Sequence, residues 1–152
     1  MAGLTELPGC TYEAPVPIVT FHGTADPILL FNGGVDTSAI PGMDTGGSTT
    51  GANPVPEADL DGEGYPAAVR AFAERNGCDA EPADTSVTEE VVHRVYECPD
   101  GAEVEFYIVL GGGHSWPASE FSASIGDIVG PTTFDIDATR DGWEFLSSHA
   151  SS

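Results

Sequence analysis

Basic residues are nearly absent from this sequence. It contains no lysine and only four arginines against 25 aspartates and glutamates, which gives a formal net charge of −21. Such a surface repels nucleic acid phosphates and anionic lipid headgroups, so nucleic acids and membranes are excluded as predicted partners. Because salt screens the self-repulsion of acidic groups, the composition fits a halophilic source. It fits an acidic secreted protein from an ordinary source equally well.

Long apolar segments are also lacking. No run of about 18 apolar residues occurs, and the stretch MAGLTELPGC has no basic segment followed by an apolar one. The sequence therefore predicts neither a transmembrane helix nor a signal peptide. With 152 residues, of which 40% are hydrophobic, the chain is expected to form one domain over residues 1–152 around a single core.

Cysteine is scarce, occurring only at Cys10, Cys78 and Cys98. The last two flank a segment predicted to leave one place and return to it, so they are able to form a disulfide that leaves Cys10 unpaired. In a reducing compartment all three would instead remain thiols. The residues alone leave both alternatives open.

A strand, a long loop and a helix are predicted in the first half of the chain. The β-branched and aromatic residues of 16–27 predict a buried strand that ends near Phe21. Residues 35–64 are rich in Gly, Pro and Asp without periodicity, which is typical of a functional or disordered loop. Pro66 at a first helical position and Gly77 just past the end predict a helix between them.

Two strands and a closing helix are predicted in the second half. The turn signal at 99–101 joins two β-rich runs, the second being the apolar stretch 104–110. Asp135 or Asp137 is expected to cap a helix. Its predicted apolar stripe consists of Ile136, Trp143 and Leu146. This alternation of elements predicts an α/β fold of parallel strands with flanking helices plus a hairpin.

Two polar residues follow predicted strands at their carboxyl ends. Asp26 comes after the first strand, and His114 follows the run 104–110 in the sequence GGGHSWP, whose glycines allow the backbone to project the histidine from the sheet. Since functional groups gather at the carboxyl ends of parallel strands, Asp26 and His114 are expected to meet there. The carboxylate would then fix the imidazole tautomer and stabilise the imidazolium. The sequence predicts an acid–base pair that lacks a nucleophile.

Four stretches carry a family resemblance: PVPIVTFHGTADPILLFNGG, AERNGC, GGGHSWP and ATRDGWEFLSSH. In order and spacing they resemble the last part of the extracellular polyhydroxybutyrate depolymerase and feruloyl esterase family of α/β-hydrolases. The resemblance covers most of the chain outside 35–64. It implies a secreted serine ester hydrolase with Asp26 as the acid, His114 as the base and a disulfide between Cys78 and Cys98. The implied substrates are polyhydroxyalkanoates, feruloyl or acetyl esters of plant polysaccharide, or related polyesters.

The nucleophile of that family is not found at its expected place. In α/β-hydrolases the serine lies in a Gly-x-Ser-x-Gly elbow that precedes the acid, yet no serine occurs among the 25 residues before Asp26. The sequence thus resembles a C-terminal half without the elbow and without roughly six strands of the family fold. A missing N-terminal half would supply the serine and a partner for Cys10.

Other nucleophile candidates are weak. Ser124 in SASIG and Ser48 in GGSTTG lack the preceding apolar strand and following helix of an elbow. Ser115 lies beside His114 and is expected to belong to the turn, because adjacent residues on an extended chain point apart. Cys10 has no electropositive neighbours in sequence.

Three further features have structural interpretations. His22 is expected to pack and hydrogen-bond at a strand end, and Trp116 is expected either to line an acyl or aromatic substrate cleft or to pack over its loop. Residues 59–64, DLDGEG, match the first half of a calcium loop, but Arg70 occupies the position that requires a glutamate. We therefore predict a solvated acidic loop, no metal and no cofactor.

Two functions follow from the sequence. In the first, the chain contributes the acid and the histidine of an ester hydrolase that acts on an ester or polyester. In the second, it is a non-catalytic truncated fragment or assembly module. The unpaired edge of its first strand would then promote homo-oligomers.

Overall fold

The computed structural model describes residues 14–36 and 55–149. Within them the chain forms four strands and four helices, of which the strand Ala83–Ser86 and two short helices were not predicted. In chain order these are β1 Ile18–Gly23, α1 Tyr65–Asn76, β2 Ala83–Ser86, β3 Val91–Tyr96, β4 Val104–Val109, α2 Glu120–Ser124, α3 Gly126–Val129 and α4 Ala138–Ser148.

The four strands form one mixed sheet in the order β1-β4-β3-β2. β1 and β4 are parallel, with Ile18 opposite Val104 and Gly23 opposite Val109. β3 is antiparallel to both β4 and β2, which confirms the predicted hairpin. The α/β class is confirmed at this level, although the sheet is mixed and has a single parallel pair among the described strands.

The sheet is covered on both faces. α1 packs against one face, where Val69, Ala73 and the β4 residues Phe106 and Ile108 share a buried cluster. On the other face Phe21, Val91, Val109, Ile136 and Ala138 form a second buried cluster beside α4. Burial on both faces explains why the β4 sequence is a nearly continuous apolar run.

Local sequence signals set the helix ends. Gly77 has a φ of +80° and donates its N–H to the carbonyls of Ala73 and Glu74, closing α1 in a left-handed conformation that glycine adopts without strain. Asp137, rather than Asp135, caps α4, and its carboxylate accepts hydrogen bonds from the N–H groups of Thr139 and Arg140.

The predicted apolar stripe of α4 is wrong. Trp143 and Leu146 are 70% and 57% exposed, whereas Ala138 and Phe145 are buried. Ile136 is buried but precedes the helix. Ala138 and Phe145 are separated by a helical repeat, and so are Trp143 and Leu146. Periodicity therefore did not show which of the two faces of α4 packs on the sheet.

Arg94 in β3 binds the acidic loop 59–64. The Arg94 side chain, 4% exposed, pairs with Asp84 at 2.8 Å and with Asp61 at 2.9 Å, and also donates to the Leu60 carbonyl. The loop acids themselves remain largely exposed. Arg94 thereby ties the described loop to β2 and β3.

Cys78 and Cys98 form a disulfide. Cys78 follows α1 and Cys98 follows β3, so the bridge ties the helix to the hairpin. The pairing that the family resemblance implied is confirmed. Cys10 lies outside the described residues.

Loss of this disulfide should be measurable in urea unfolding. The two cysteines are separated by 20 residues, and a cross-link of that span stabilises a fold by about 3 kcal/mol, chiefly by restricting the unfolded chain. We expect the Cys78→Ser/Cys98→Ser variant to lose about that much free energy of unfolding. Cys10→Ser is the control because it leaves the bridge intact. An equal loss in the control would contradict the prediction.

Candidate functional site

The loops after β1 and β4 are bound to each other at the carboxyl end of the parallel pair. The N–H of Thr24 donates to the Val109 carbonyl and that of Ala25 to the Gly112 carbonyl, each at 2.9 Å. The N–H of Gly111 donates to the Thr24 hydroxyl at 2.8 Å. These bonds fix the register in which the next residues of both loops face each other.

Glycines are required where these loops approach other backbone. A Cβ on Gly23 would lie 2.1 Å from the Gly112 carbonyl oxygen, and a Cβ on Gly113 would lie 2.1 Å from that of Val129. The adjacent N–H of His114 donates to the same Val129 carbonyl at 2.6 Å. The glycines of the GGGH sequence therefore allow its backbone to pack closely between the loop after β1 and residues 129–131, which fixes the position of His114.

Asp26 and His114 meet at this edge of the sheet. His114 Nδ1 lies 2.9 Å from Asp26 Oδ2, and the two side chains are 22% and 0% exposed, respectively. Asp26 Oδ1 accepts hydrogen bonds from the N–H groups of Ile28 at 2.9 Å and Leu29 at 2.8 Å. The structure brings together the two residues that the sequence predicted to be neighbours.

The contacts of Asp26 fix its charge and the tautomer of His114. Burial is the largest single effect on Asp26 and raises its pKa. The hydrogen bonds from His114, Ile28 and Leu29 together lower the pKa by more than burial raises it, so the pKa lies below its ordinary value of 3.8. An ionised carboxylate accepts hydrogen bonds only, so the imidazole proton resides on Nδ1. No described residue hydrogen-bonds to Nε2 of His114.

His22 lies beneath the pair. Its ring is 1% exposed, its Nδ1 donates to the Gly23 carbonyl at 2.9 Å, and its Nε2 lies 3.9 Å from Asp26 Oδ2. The ring also packs on Tyr65, with centroids 4.2 Å apart. Burial lowers the pKa of His22 below 6.5, which favours the neutral ring. This buried ring packs beside the Asp26 carboxylate.

Trp116 packs between β1 and α4 and also borders a groove. Its ring packs near Phe21, with centroids 5.9 Å apart, and its Nε1 donates to the Thr139 hydroxyl at 2.9 Å. Its remaining 40% exposed surface lines an apolar groove of about 520 Å³ between β1 and α4. Neither Asp26 nor His114 lines that groove.

None of the described serines hydrogen-bonds to His114. Ser124 lies in α2, where its hydroxyl donates to the Phe121 carbonyl at 2.7 Å, and buried Ser115 donates to the Pro131 carbonyl at 2.9 Å. Ser48 lies outside the described residues. Within residues 14–36 and 55–149, the acid and base therefore have no nucleophilic hydroxyl in contact.

Comparisons with known proteins gave no match. No family model, curated protein or solved structure matched the chain. In the described part of the chain, no three His, Cys, Asp or Glu side chains are arranged to hold a metal ion. None of its described helices has the length and apolar character needed to cross a bilayer.

Proposed function

We propose that this chain supplies the acid and the base of a secreted, serine-type carboxylic ester hydrolase. The observation that carries the proposal is the Asp26–His114 hydrogen bond, in which a buried carboxylate orients an imidazole whose Nε2 has no hydrogen-bond partner among the described residues. This is the arrangement that lets a histidine remove a proton from a hydroxyl. The motif resemblance to the C-terminal half of polyhydroxybutyrate depolymerases and feruloyl esterases supports the same class.

The reaction needs a serine from outside the described residues. The serine oxygen attacks the ester carbonyl carbon while Nε2 of His114 takes its proton, and Asp26 stabilises the imidazolium. The imidazolium then gives this proton to the alcohol that leaves. In the second half, Nε2 takes a proton from water as water attacks the acyl group. That proton returns to the serine oxygen and frees the acid.

Polyesters and feruloyl or acetyl esters are the proposed substrates. Trp116 and the apolar groove beside it would accommodate an acyl or aromatic group. A disulfide is typical of proteins exported to oxidising compartments, which supports a secreted location.

The unpaired edge of β1 favours the second candidate function. Among the described strands, β1 pairs with β4 alone and ends the sheet. In an assembly module this edge would pair with another copy of the chain.

The proposal is tested by hydrolysis of p-nitrophenyl acetate by the chain alone, where water or Nε2 itself replaces the serine as nucleophile. Correctly placed acid–base groups contribute rate factors of roughly 100 or more, so we expect His114→Gln to lower the rate above buffer about tenfold or more. Asp26→Asn should lower it similarly because the tautomer is no longer fixed.

His93 provides a matched control. Its side chain is also 22% exposed, and its Nε2 lies 2.8 Å from Glu105 Oε2. His93→Gln should leave the rate unchanged, since His93 and Glu105 lie within β3 and β4 and not in the loops that hold Asp26 and His114. A rate that survives both site substitutions, or falls equally with His93→Gln, would contradict the proposal.

A further inference from the structure

His149 lies at the C-terminal end of α4, between groups that accept hydrogen bonds. Its Nδ1 lies 2.7 Å from the Phe145 carbonyl oxygen, and its Nε2 lies 3.0 Å from Glu103 Oε2. The Ser148 hydroxyl oxygen is 3.0 Å from Nδ1, but that hydroxyl donates its hydrogen to the Phe145 carbonyl at 2.7 Å. Within the described residues, both ring nitrogens therefore face acceptors alone.

Glu103 presents a carboxylate to this ring. Its own N–H group has the largest effect and lowers the pKa of Glu103, against a smaller opposing effect of burial. The N–H of Gly101, which donates to Oε1 at 3.1 Å, and the His149 ring also lower this pKa, which lies below its ordinary value of 4.5. Among the described residues, the His149 ring is the one polar contact of the buried Oε2 atom.

The two contacts of the ring require a proton on each nitrogen. A carbonyl oxygen and an ionised carboxylate have no proton to donate, and a neutral imidazole carries a proton on one nitrogen only. In the neutral form, one of the two contacts would place a nitrogen lone pair against an oxygen at 3.0 Å or less. The imidazolium satisfies both contacts at once.

The charged groups around His149 are mainly acidic. Side chains of β4 and α4 line a cavity of about 250 Å³ together with His149, among them Glu105, Tyr107, Asp141 and Glu144. The basic side chains that pair with these acids are Arg140, 3.1 Å from Asp141, and His93, 2.8 Å from Glu105. The three carboxylates of this cavity add to that of Glu103, so the surroundings favour a cation at residue 149.

The helix end and an aromatic ring favour the same charge. His149 is the C-terminal cap of α4, where the last carbonyls of a helix carry a partial negative charge. Its ring also packs on that of Phe145, with centroids 4.3 Å apart, and a cation is attracted to the face of an aromatic ring. Both neighbours stabilise the charged ring more than the neutral one.

We propose that His149 is an imidazolium at neutral pH, and that the His149–Glu103 pair, which we name the α4 latch, holds the last turn of α4 until the ring loses a proton. Glu103 is itself fixed in the sheet, since it directly precedes β4 and its carbonyl accepts the Ile18 N–H at 2.8 Å. The α4 latch thus joins the end of α4 to the start of both parallel strands. It does not depend on the proposed function.

Release of the α4 latch would act on the apolar groove. α4 contributes Trp143 and Leu146 to the lining of that groove, and the N–H of His149 donates to the Leu146 carbonyl at 3.3 Å. Loss of the ring proton removes one of the contacts that hold this turn, so the last turn of α4 should open more often as the pH rises. Access to the groove is then coupled to pH.

Nitrogen-15 NMR of the unmodified chain measures the charge of His149 directly. At about pH 7, we expect both ring nitrogens of His149 to give the signals of protonated nitrogen. His22 is the internal reference, because its Nδ1 donates to the Gly23 carbonyl and burial favours its neutral ring. It should show one protonated nitrogen under the same conditions.

Glu103→Gln separates the contact from the charge. The glutamine carbonyl can still accept from Gly101, while its amide N–H can donate to a neutral His149 ring. In the unmodified chain, the hydrogen-exchange protection factors of residues 147–149 should fall about tenfold between about pH 6 and about pH 9, as expected for loss of a charge-assisted hydrogen bond. In Glu103→Gln they should stay nearly constant. His93→Gln is the control and should keep the fall.

Three results would overturn the inference. They are a single ring proton on His149 at about pH 7, constant protection of the last turn across this pH range in the unmodified chain, and an equal fall of protection in Glu103→Gln. The first two are measured without any variant, so they decide the matter even if Glu103→Gln does not fold. None of the three measures ester hydrolysis, so failure of the α4 latch is distinguishable from failure of the proposed function.

Discussion

Replacement of Asp26 by alanine is expected to lower the free energy of unfolding by about 3 kcal/mol or more. The carboxylate is fully buried and accepts hydrogen bonds from the N–H groups of Ile28 and Leu29 and from Nδ1 of His114. Alanine leaves all three donors without an acceptor. Urea unfolding monitored by circular dichroism measures the loss.

Asp26→Asn separates the charge from the hydrogen bonds. Its amide oxygen can still accept from Ile28 and Leu29, so its cost in stability should be smaller than that of alanine. The loss of ester hydrolysis should nevertheless be as large, because an amide does not stabilise the imidazolium of His114. A stability loss below about 1 kcal/mol for Asp26→Ala would show that the carboxylate is not held as described.

The stability lost in Asp26→Ala is expected to depend on pH. The pKa of Asp26 is lower in the folded chain than its ordinary 3.8, so its ionisation stabilises the fold fully above that value. As the pH falls below 3.8, the unfolded chain takes up the proton first, and the stabilisation declines. The stability difference between the unmodified chain and Asp26→Ala should therefore shrink on acidification. A difference that grows on acidification would mean that the pKa is raised.

The contact between Asp26 and His114 could be predicted from the sequence because it depends on strand topology and not on packing between distant parts of the chain. Both residues directly follow apolar strands, and parallel strands present their ends at one edge. The ends of α1 were predicted for an equally local reason, since Pro66 and Gly77 act within one helical turn. The cap of α4 was narrowed to Asp135 or Asp137, and Asp137 is the one that caps it.

Features that depend on distant partners were missed. β2 has the sequence ADTS, exposed throughout, and is a strand because β3 offers it a ladder and Arg94 binds Asp84 in it. The outward position of Trp143 depends on which face of α4 meets the sheet, which periodicity alone did not decide. The groove beside β1 likewise exists only because of how α1 and α4 flank a strand edge.

Gly113→Ala is expected to disrupt the site more than any other single-methyl addition in the GGGH sequence. The new Cβ would lie 2.1 Å from the Val129 carbonyl oxygen and 2.7 Å from backbone atoms of Gly130. Because backbone must move on one side or the other, we expect a loss of about 3 kcal/mol in the free energy of unfolding. The shift also breaks the bond from the His114 N–H to Val129 and moves the imidazole away from Asp26.

Gly126→Ala is the control for this substitution. A Cβ at Gly126 meets nothing within 4 Å, and the residue lies in the short helix α3, so alanine there should be neutral or slightly stabilising. Proton NMR follows the Nδ1–H of His114, whose signal is expected to be lost or shifted in Gly113→Ala and retained in Gly126→Ala. If both variants kept the signal and the same stability, the close approach of residues 113 and 129 would not be what positions His114.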